Sequence, residues 1–164
     1  MSDNLFLLEE AVTIWIKARE SLLEAELLLS SHLYSGSAAR SYYAAFQMTE
    51  LLLLTIGKSF KRHEQVLGEF NRRFVNELHA FPAATKAILA RLGAARHEAD
   101  YDRMVITDEA TAKRCNEDAN DFVLSVETYL QSNFADITHE MMLRYPHRSD
   151  TARQDTGKSL GDLT

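Results

Sequence analysis

Three features of the sequence predict an all-α fold. Only two prolines and six glycines interrupt 164 residues that are rich in Leu, Ala and Glu. Apolar residues recur at three- and four-residue steps over long stretches, the period of a helix face and not of a strand. Finally, Ser35–Gly57, SGSAARSYYAAFQMTELLLLTIG, is apolar or small at almost every position. A helix there has to be wrapped by others, because it has no face fit for a surface.

The rest of the chain is organised around that stretch. Tyr42, Phe46, Thr49, Leu53 and Ile56 form one face, and Ala38, Ala45, Met48 and Leu52 a second. Arg40, Tyr43 and Gln47 fall on a common side. Its length would span a bilayer, but Arg40, Gln47 and Glu50 within it point to a protein core and not to a membrane.

Ahead of it, Leu5, Leu8, Val12, Trp15, Leu22, Leu29 and Leu33 keep the same period, with Arg19 and Glu26 at the two seam positions that lack an apolar residue. A first helix of about 28 residues is predicted, about 40 Å long. Arg19 and Glu26 read either as exposed ends of the stripe or as walls of a polar cleft shared with Arg40. Gly36 is expected to end this helix and Ser37 to cap the next. So short a link makes the two an antiparallel hairpin. The surplus length of the first helix, and the several apolar faces of the central one, predict a homodimer.

After Gly57 the run KSFKRHEQ is the most basic in the chain. A third helix is expected through Val66, Leu67, Phe70, Phe74 and Leu78, stopping at Phe81-Pro82. A fourth is expected over about Ala83–Ala95, with Ile88 and Leu92 inward. Arg96–Asp102, RHEADYD, is the densest group of titratable side chains and reads as a junction. Thr107 followed by Asp108-Glu109 is a helix start. Ala112, Cys115, Ala119, Phe122, Val126 and Tyr129 then give the fifth helix one buried face, on which Cys115 is packing and not chemistry. Residues 3–132 are thus expected to form the helical domain and 133–164 an extension. The extension would hold a short helix near Ile137–Tyr145 and a flexible tail from Pro146.

The formal net charge of −6 argues against broad, non-specific nucleic-acid binding. The charge is unevenly spread: residues 1–57 carry −4, 58–103 carry +3 and 104–164 carry −5. A lone cysteine excludes an internal disulfide and a Cys-based zinc site. With an acidic N-terminus unlike a signal peptide, it predicts a cytoplasmic protein. His-Glu occurs at 63–64, 97–98 and 139–140 without the HExxH spacing, so neither metal nor cofactor is expected. Gly57-Lys58-Ser59 and Gly157-Lys158-Ser159 lack the earlier glycine and strand of a phosphate-binding loop. No Ser/His/Asp or Cys/His spacing assigns a catalytic residue.

Four elements in order carry a resemblance. They are Ala39-Arg40-Ser41-Tyr42-Tyr43-Ala44-Ala45-Phe46, then Arg62-His63 before an apolar helix, then Arg96-x-x-Ala99-Asp100-Tyr101-Asp102, and a final helix opened by Thr107. Over about residues 10–130 the chain resembles the HEPN superfamily, and more narrowly its small stand-alone branch with an Ala-Asp-Tyr motif. The resemblance implies an up-and-down bundle of four or five helices, usually a symmetric dimer, often encoded beside a minimal nucleotidyltransferase as a toxin–antitoxin pair. It also implies that active members are metal-independent ribonucleases, using an arginine, four to six intervening residues and a histidine. Here Tyr101 follows Arg96 at that distance, and the histidine, His97, is adjacent to the arginine. Arg72–His79, Arg73–His79 and Arg91–His97 match the spacing literally, against about 1.3 such pairs expected by chance.

The candidate nucleotide- or RNA-binding residues are Arg40, Tyr43, His63, Arg96, Asp100 and Tyr101. Arg40, Tyr43, Arg96 and Asp100 are expected to share one pocket, with His63 at its rim and a phosphate held by guanidinium groups. Three functions stand at this point: a nucleotide- or RNA-binding partner of a nucleotidyltransferase, a metal-independent endoribonuclease toxin using Arg96 with His97 or Tyr101, and a structural dimerisation module. Arg96 and Asp100 read equally well as an ion pair closing the fourth helix.

Overall fold

The apolar period at the start of the chain becomes one 29-residue helix, α1 (Ser2–Ser30). The computed structural model describes residues 2–102 and 104–145. Val12, Trp15, Ala18, Leu22 and Ala25 of α1 are buried, whereas Leu33, read as the end of its stripe, lies beyond it and is exposed. A tight turn with His32 at φ 60° reverses the chain, and α2 runs from Tyr34 to Thr55.

Gly36 and Ser37 are therefore not at the junction; they sit in the first turn of α2. Gly36 abuts Leu28, where an added Cβ would come within 3.2 Å of Cδ1, and Ser37 Oγ donates to the Ala25 carbonyl at 2.8 Å. The small residues serve the close approach of two helices, and the predicted hairpin forms through a different turn. The far end of α2 is as expected. Gly57 takes φ 72°, its N–H reaches the Leu54 carbonyl at 2.9 Å, and that of Lys58 reaches Leu53 at 2.9 Å. Together these two bonds satisfy the last carbonyls of the helix.

Thirteen residues of α2 are buried, with α1 and the later helices packed around it. The third helix, α3 (His63–Phe70), continues into a widened turn over Asn71–Glu77. Such a turn inserts a residue and rotates the chain beyond it. Phe74 and Val75 face inward, and Leu78, expected inside, is 44% exposed. Phe70, Phe74, Phe81 and Phe122 form an aromatic core with ring centroids 5.5–6.3 Å apart, each worth about 1.5–3 kcal/mol by burial.

The fourth helix, α4 (Ala84–Tyr101), runs past its predicted end, so Arg96–Tyr101 are its last turns and not a junction. The fifth, α5 (Glu109–Asn133), is capped by Asp108 and not by Thr107, which is buried. Asp108 Oδ1 accepts the Thr111 N–H at 2.8 Å, and hydrogen bonding from the Thr111 side chain, then its backbone, holds the carboxyl below the usual range. The predicted face of α5 is buried from Ala112 to Val126, with Tyr129 half-buried. A short α6 (Ala135–Arg144) buries Ile137 and Met141, and Tyr145 meets the Trp15 ring edge-on at 5.5 Å. The expected tail, Pro146–Thr164, lies outside the described residues.

Antiparallel pairing of α1 with α5 is fixed by polar ties. Trp15 Nε1 donates to Glu127 at 2.8 Å, Arg19 pairs with the same carboxylate at 3.3 Å, and Asn120 reaches Glu26 at 3.5 Å. Arg19 and Glu26 thus belong to this seam and not to a cleft with Arg40. The fold is an all-α bundle, as predicted. Among the described residues no helix is long and apolar enough to cross a membrane.

Candidate functional site

Adjacent helical residues diverge by about 100°, and the Tyr42-Tyr43 doublet uses this. Tyr42 is buried, while Tyr43 is half-buried on the open side of α2. Phe46, four residues on, stacks on Tyr42 with centroids 5.7 Å apart. Helix α4 crosses here with Gly93 against the Tyr42 ring, where an added Cβ would lie at 3.7 Å. Three residues later on the same face, Arg96 lowers its side chain among the tyrosines.

The Arg96 guanidinium carbon lies 5.9, 5.5 and 5.1 Å from the ring centroids of Tyr42, Tyr43 and Tyr101. Nη2 donates to the Tyr43 hydroxyl at 2.9 Å and to that of Tyr101 at 3.3 Å. Nε is 2.8 Å from Asp100 Oδ2 but out of line with it, so the contact is an ion pair and the buried N–H goes without a hydrogen bond. Among the described residues no acceptor meets Nη1. The side chain is only 19% exposed. Burial opposes its charge, but the hydrogen bond to Tyr43 and the neighbouring Tyr43, Tyr101 and Asp100 oxygens outweigh it and raise the pKa. Aromatic faces around a partly dry cation add to that stabilisation.

His63, the first residue of α3, arrives from the basic run. Its ring lies 4.1 Å from that of Phe46, and its Nδ1 is 3.1 Å from the Tyr42 hydroxyl. Burial pushes the Tyr42 phenol up to about 12, against the pull of Arg96. Tyr42 therefore joins a guanidinium over its ring to an imidazole at its hydroxyl. His97 is exposed and lies against Tyr101, with centroids 5.2 Å apart.

Of the six residues singled out in the sequence, the structure gathers Tyr43, Arg96, Asp100 and Tyr101, with His63 linked through Tyr42. Arg40 is not among them. Its Nε pairs with Glu24 of α1 at 2.9 Å, and no bond or ion pair among the described residues joins it to Arg96. One turn before Tyr43, it is rotated by about 60° towards α1. Tyr42 and Phe46 read in the sequence as core alone, yet they form the floor beneath Arg96 and His63. The tyrosine doublet was the available signal, since one ring of such a pair must face away from the core.

The arginines of the literal ribonuclease spacings are occupied elsewhere. Arg91 pairs in a forked contact with Asp118 at 2.9 Å, Arg72 with Glu69 at 2.6 Å, and Arg73 with Glu77 at 2.9 Å. Among the described residues no three His, Cys, Asp or Glu side chains are grouped to hold a metal ion.

A helical bundle whose central helix supplies tyrosines that hold an α4 arginine near a histidine defines an all-α protein with a preformed cationic site. The HEPN domain family matches residues 12–129, and the chain belongs to that family. It is 32% identical over 124 residues to the UPF0332 protein of Thermotoga maritima, covering 75% of this chain and 93% of that one. Two Methanocaldococcus jannaschii proteins are also similar. “Putative toxin MJ0605” is 31% identical over 113 residues, covering 69% of this chain and 78% of its own. “Putative toxin MJ0142” is 31% identical over 120 residues, covering 71% and 78%.

Proposed function

We propose that this chain is a cytoplasmic nucleotide- or RNA-binding HEPN protein, paired with a minimal nucleotidyltransferase in a toxin–antitoxin-like system. The observation that carries the proposal is the Arg96 guanidinium, fixed by Tyr43, Tyr101 and Asp100 with Nη1 left over. A fixed guanidinium with its Nη1 donors free in a partly dry site suits a phosphate. Exposed Lys61 and Arg62, next to His63, add positive charge on the approach. The word toxin in the names of both archaeal relatives supports the paired system.

A second reading has its own observation. His97, Tyr101 and Arg96 lie together on the last turns of α4, and a proton acceptor beside a cation is what attack of a ribose 2′-hydroxyl on its phosphate requires. Purified protein incubated with total RNA in chelator separates the two. Retention of RNA without cleavage supports the binding protein, cleavage supports the ribonuclease, and neither at low salt refutes both. Copurification of a co-expressed neighbouring nucleotidyltransferase tests the partner. The protein acts as a homodimer under either reading, for which the length of α1 and the exposed Leu23, Leu27 and Leu124 on α1 and α5 speak. Sedimentation at micromolar concentration should give twice the chain mass, and a clean monomer would refute it.

A further inference from the structure

The open face of α2 does not end at the Arg96 cluster. Glu50 lies seven residues beyond Tyr43, two turns on and within about 20° of the same direction, roughly 10 Å along the axis. There a cavity of about 210 Å³ opens, walled by Glu10 and Ile14 of α1, Glu50 and Leu54 of α2, and Ser59 and Phe60 of the next loop. That is below the range of about 300 Å³ and more of drug-sized ligand sites, and it suits one planar ring system. His63 packs against Phe46, which lies between Tyr43 and Glu50 along α2.

Two chemical features define what the cavity would take. Its wall is apolar at Ile14, Leu54 and Phe60, with an aromatic ring available to a flat partner. Its polar end carries Glu10, Glu50 and Lys58, and the ammonium of Lys58 is already paired with Glu69. Glu50 is half-buried and has no hydrogen bond or ion pair among the described residues; burial raises its carboxyl above the usual value, against the pull of Lys17. A partly desolvated carboxylate without donors is unfavourable until donors arrive. Among the nucleobases only guanine offers two parallel donors, N1–H and the N2 amino group, to one carboxylate.

We infer that this cavity is a base-recognition pocket in which Glu50 accepts both donors of a guanine whose own or neighbouring phosphate lies on Arg96. The inference rests on the nucleotide- or RNA-binding reading above and adds a base preference to it. Adenine and cytosine present one amino donor beside an acceptor, and that acceptor would face the carboxylate. Uracil presents a single N–H between two carbonyls. Each is rejected by leaving Glu50 partly unsatisfied or opposed by a lone pair.

The test uses the full chain and five single-stranded RNA tetramers, AAAA and the four with a single G. Dissociation constants are read by fluorescence anisotropy at low salt. One G-containing tetramer should bind about ten-fold more tightly than AAAA, in line with a bidentate base contact. Glu50→Gln, which turns an acceptor into a mixed group, should bring that ratio below about two-fold. Ser59→Trp, an exposed loop change that fills the mouth of the cavity, should do the same if Glu50→Gln fails to fold. Equal binding of all five tetramers would overturn the base pocket and leave the phosphate site standing, as would a guanine preference that survives both variants. Failure of every tetramer to bind would remove the underlying reading and this inference with it.

Discussion

Replacing Arg96 with alanine separates a binding residue from a structural tie, because the two roles differ in size of effect. The fold loses the charged hydrogen bond to Tyr43, worth about 1.5 kcal/mol at the lower end for charged donors. The Tyr101 hydroxyl is exposed and regains water, so its bond counts for little. The i,i+4 pair with Asp100, whose side chain is 34% exposed, adds about 0.3–0.5 kcal/mol. The aromatic contacts add about 0.5–1 kcal/mol together. Relief of a buried guanidinium acts the other way. The net loss is about 1–2 kcal/mol, or roughly 2–8 °C in Tm for a chain of this size. A domain with about 5–15 kcal/mol in hand stays folded.

Binding should suffer more. A charged contact from Nη1 to phosphate, lost whole, costs about 2–3 kcal/mol, which is about 30- to 150-fold in Kd. Arg96→Lys keeps the charge without the planar group that the tyrosines orient, so it should recover part of the stability and little of the affinity. Thermal melts by circular dichroism and anisotropy with a labelled RNA measure the two effects side by side. A Tm falling by more than about 15 °C would make Arg96 a structural tie closing α4. An Arg96→Ala protein binding RNA within two-fold of the wild type would place the phosphate elsewhere.

Cys115→Ser should lower stability by about 1–3 kcal/mol, since it sets a hydroxyl on the packed face of α5, and should leave RNA affinity unchanged. Burial pushes that thiol up to about 11, so alkylation at pH 8 should be slow in the native protein and fast in denaturant. Hydrogen bonds from Arg72 and Lys58 draw the Glu69 carboxyl down from 4.5 to about 2. The unfolded chain therefore binds the extra proton first as pH falls. This contribution is whole above about 4.5 and is lost between there and about 2. Acid titrations of the wild type should lose stability through that window faster than Glu69→Gln does, and parallel curves would refute the role. Gly57→Ala forces a side chain into the left-handed region at φ 72° and should cost about 1 kcal/mol in chemical denaturation.

Helix existence was legible in the sequence wherever one face stays buried over many turns. The existence of α1, α2 and α5 and the buried place of Cys115 derive from a period of three and four residues, which is a local property of the chain, and the stop at Gly57 from a glycine's freedom at positive φ. The cluster's main members were legible too, because RHEADYD and the tyrosine doublet are concentrated signals. Where a residue had two uses, sequence could not choose between them. Gly36 suits the end of a helix and Ser37 the start of one, yet here they let α1 and α2 touch. Thr107 and Asp108 are both caps, and the one that was buried could not serve. Leu78 left the core because a single widened turn rotated the chain after Phe70.

The polar partnerships between helices were decided only by the tertiary structure. The Arg96–Asp100 pair, four residues apart on one helix, was legible, but nothing in the spacing of Arg40 says that α1 would offer it Glu24. Nor does it say that His63, 21 positions beyond Tyr42, would end at its hydroxyl. Hydrophobic periodicity is written in neighbouring residues and survives any arrangement of the helices. A hydrogen bond between helices depends on their crossing, rotation and stagger to within a fraction of an ångström, and those are set only when the whole core closes.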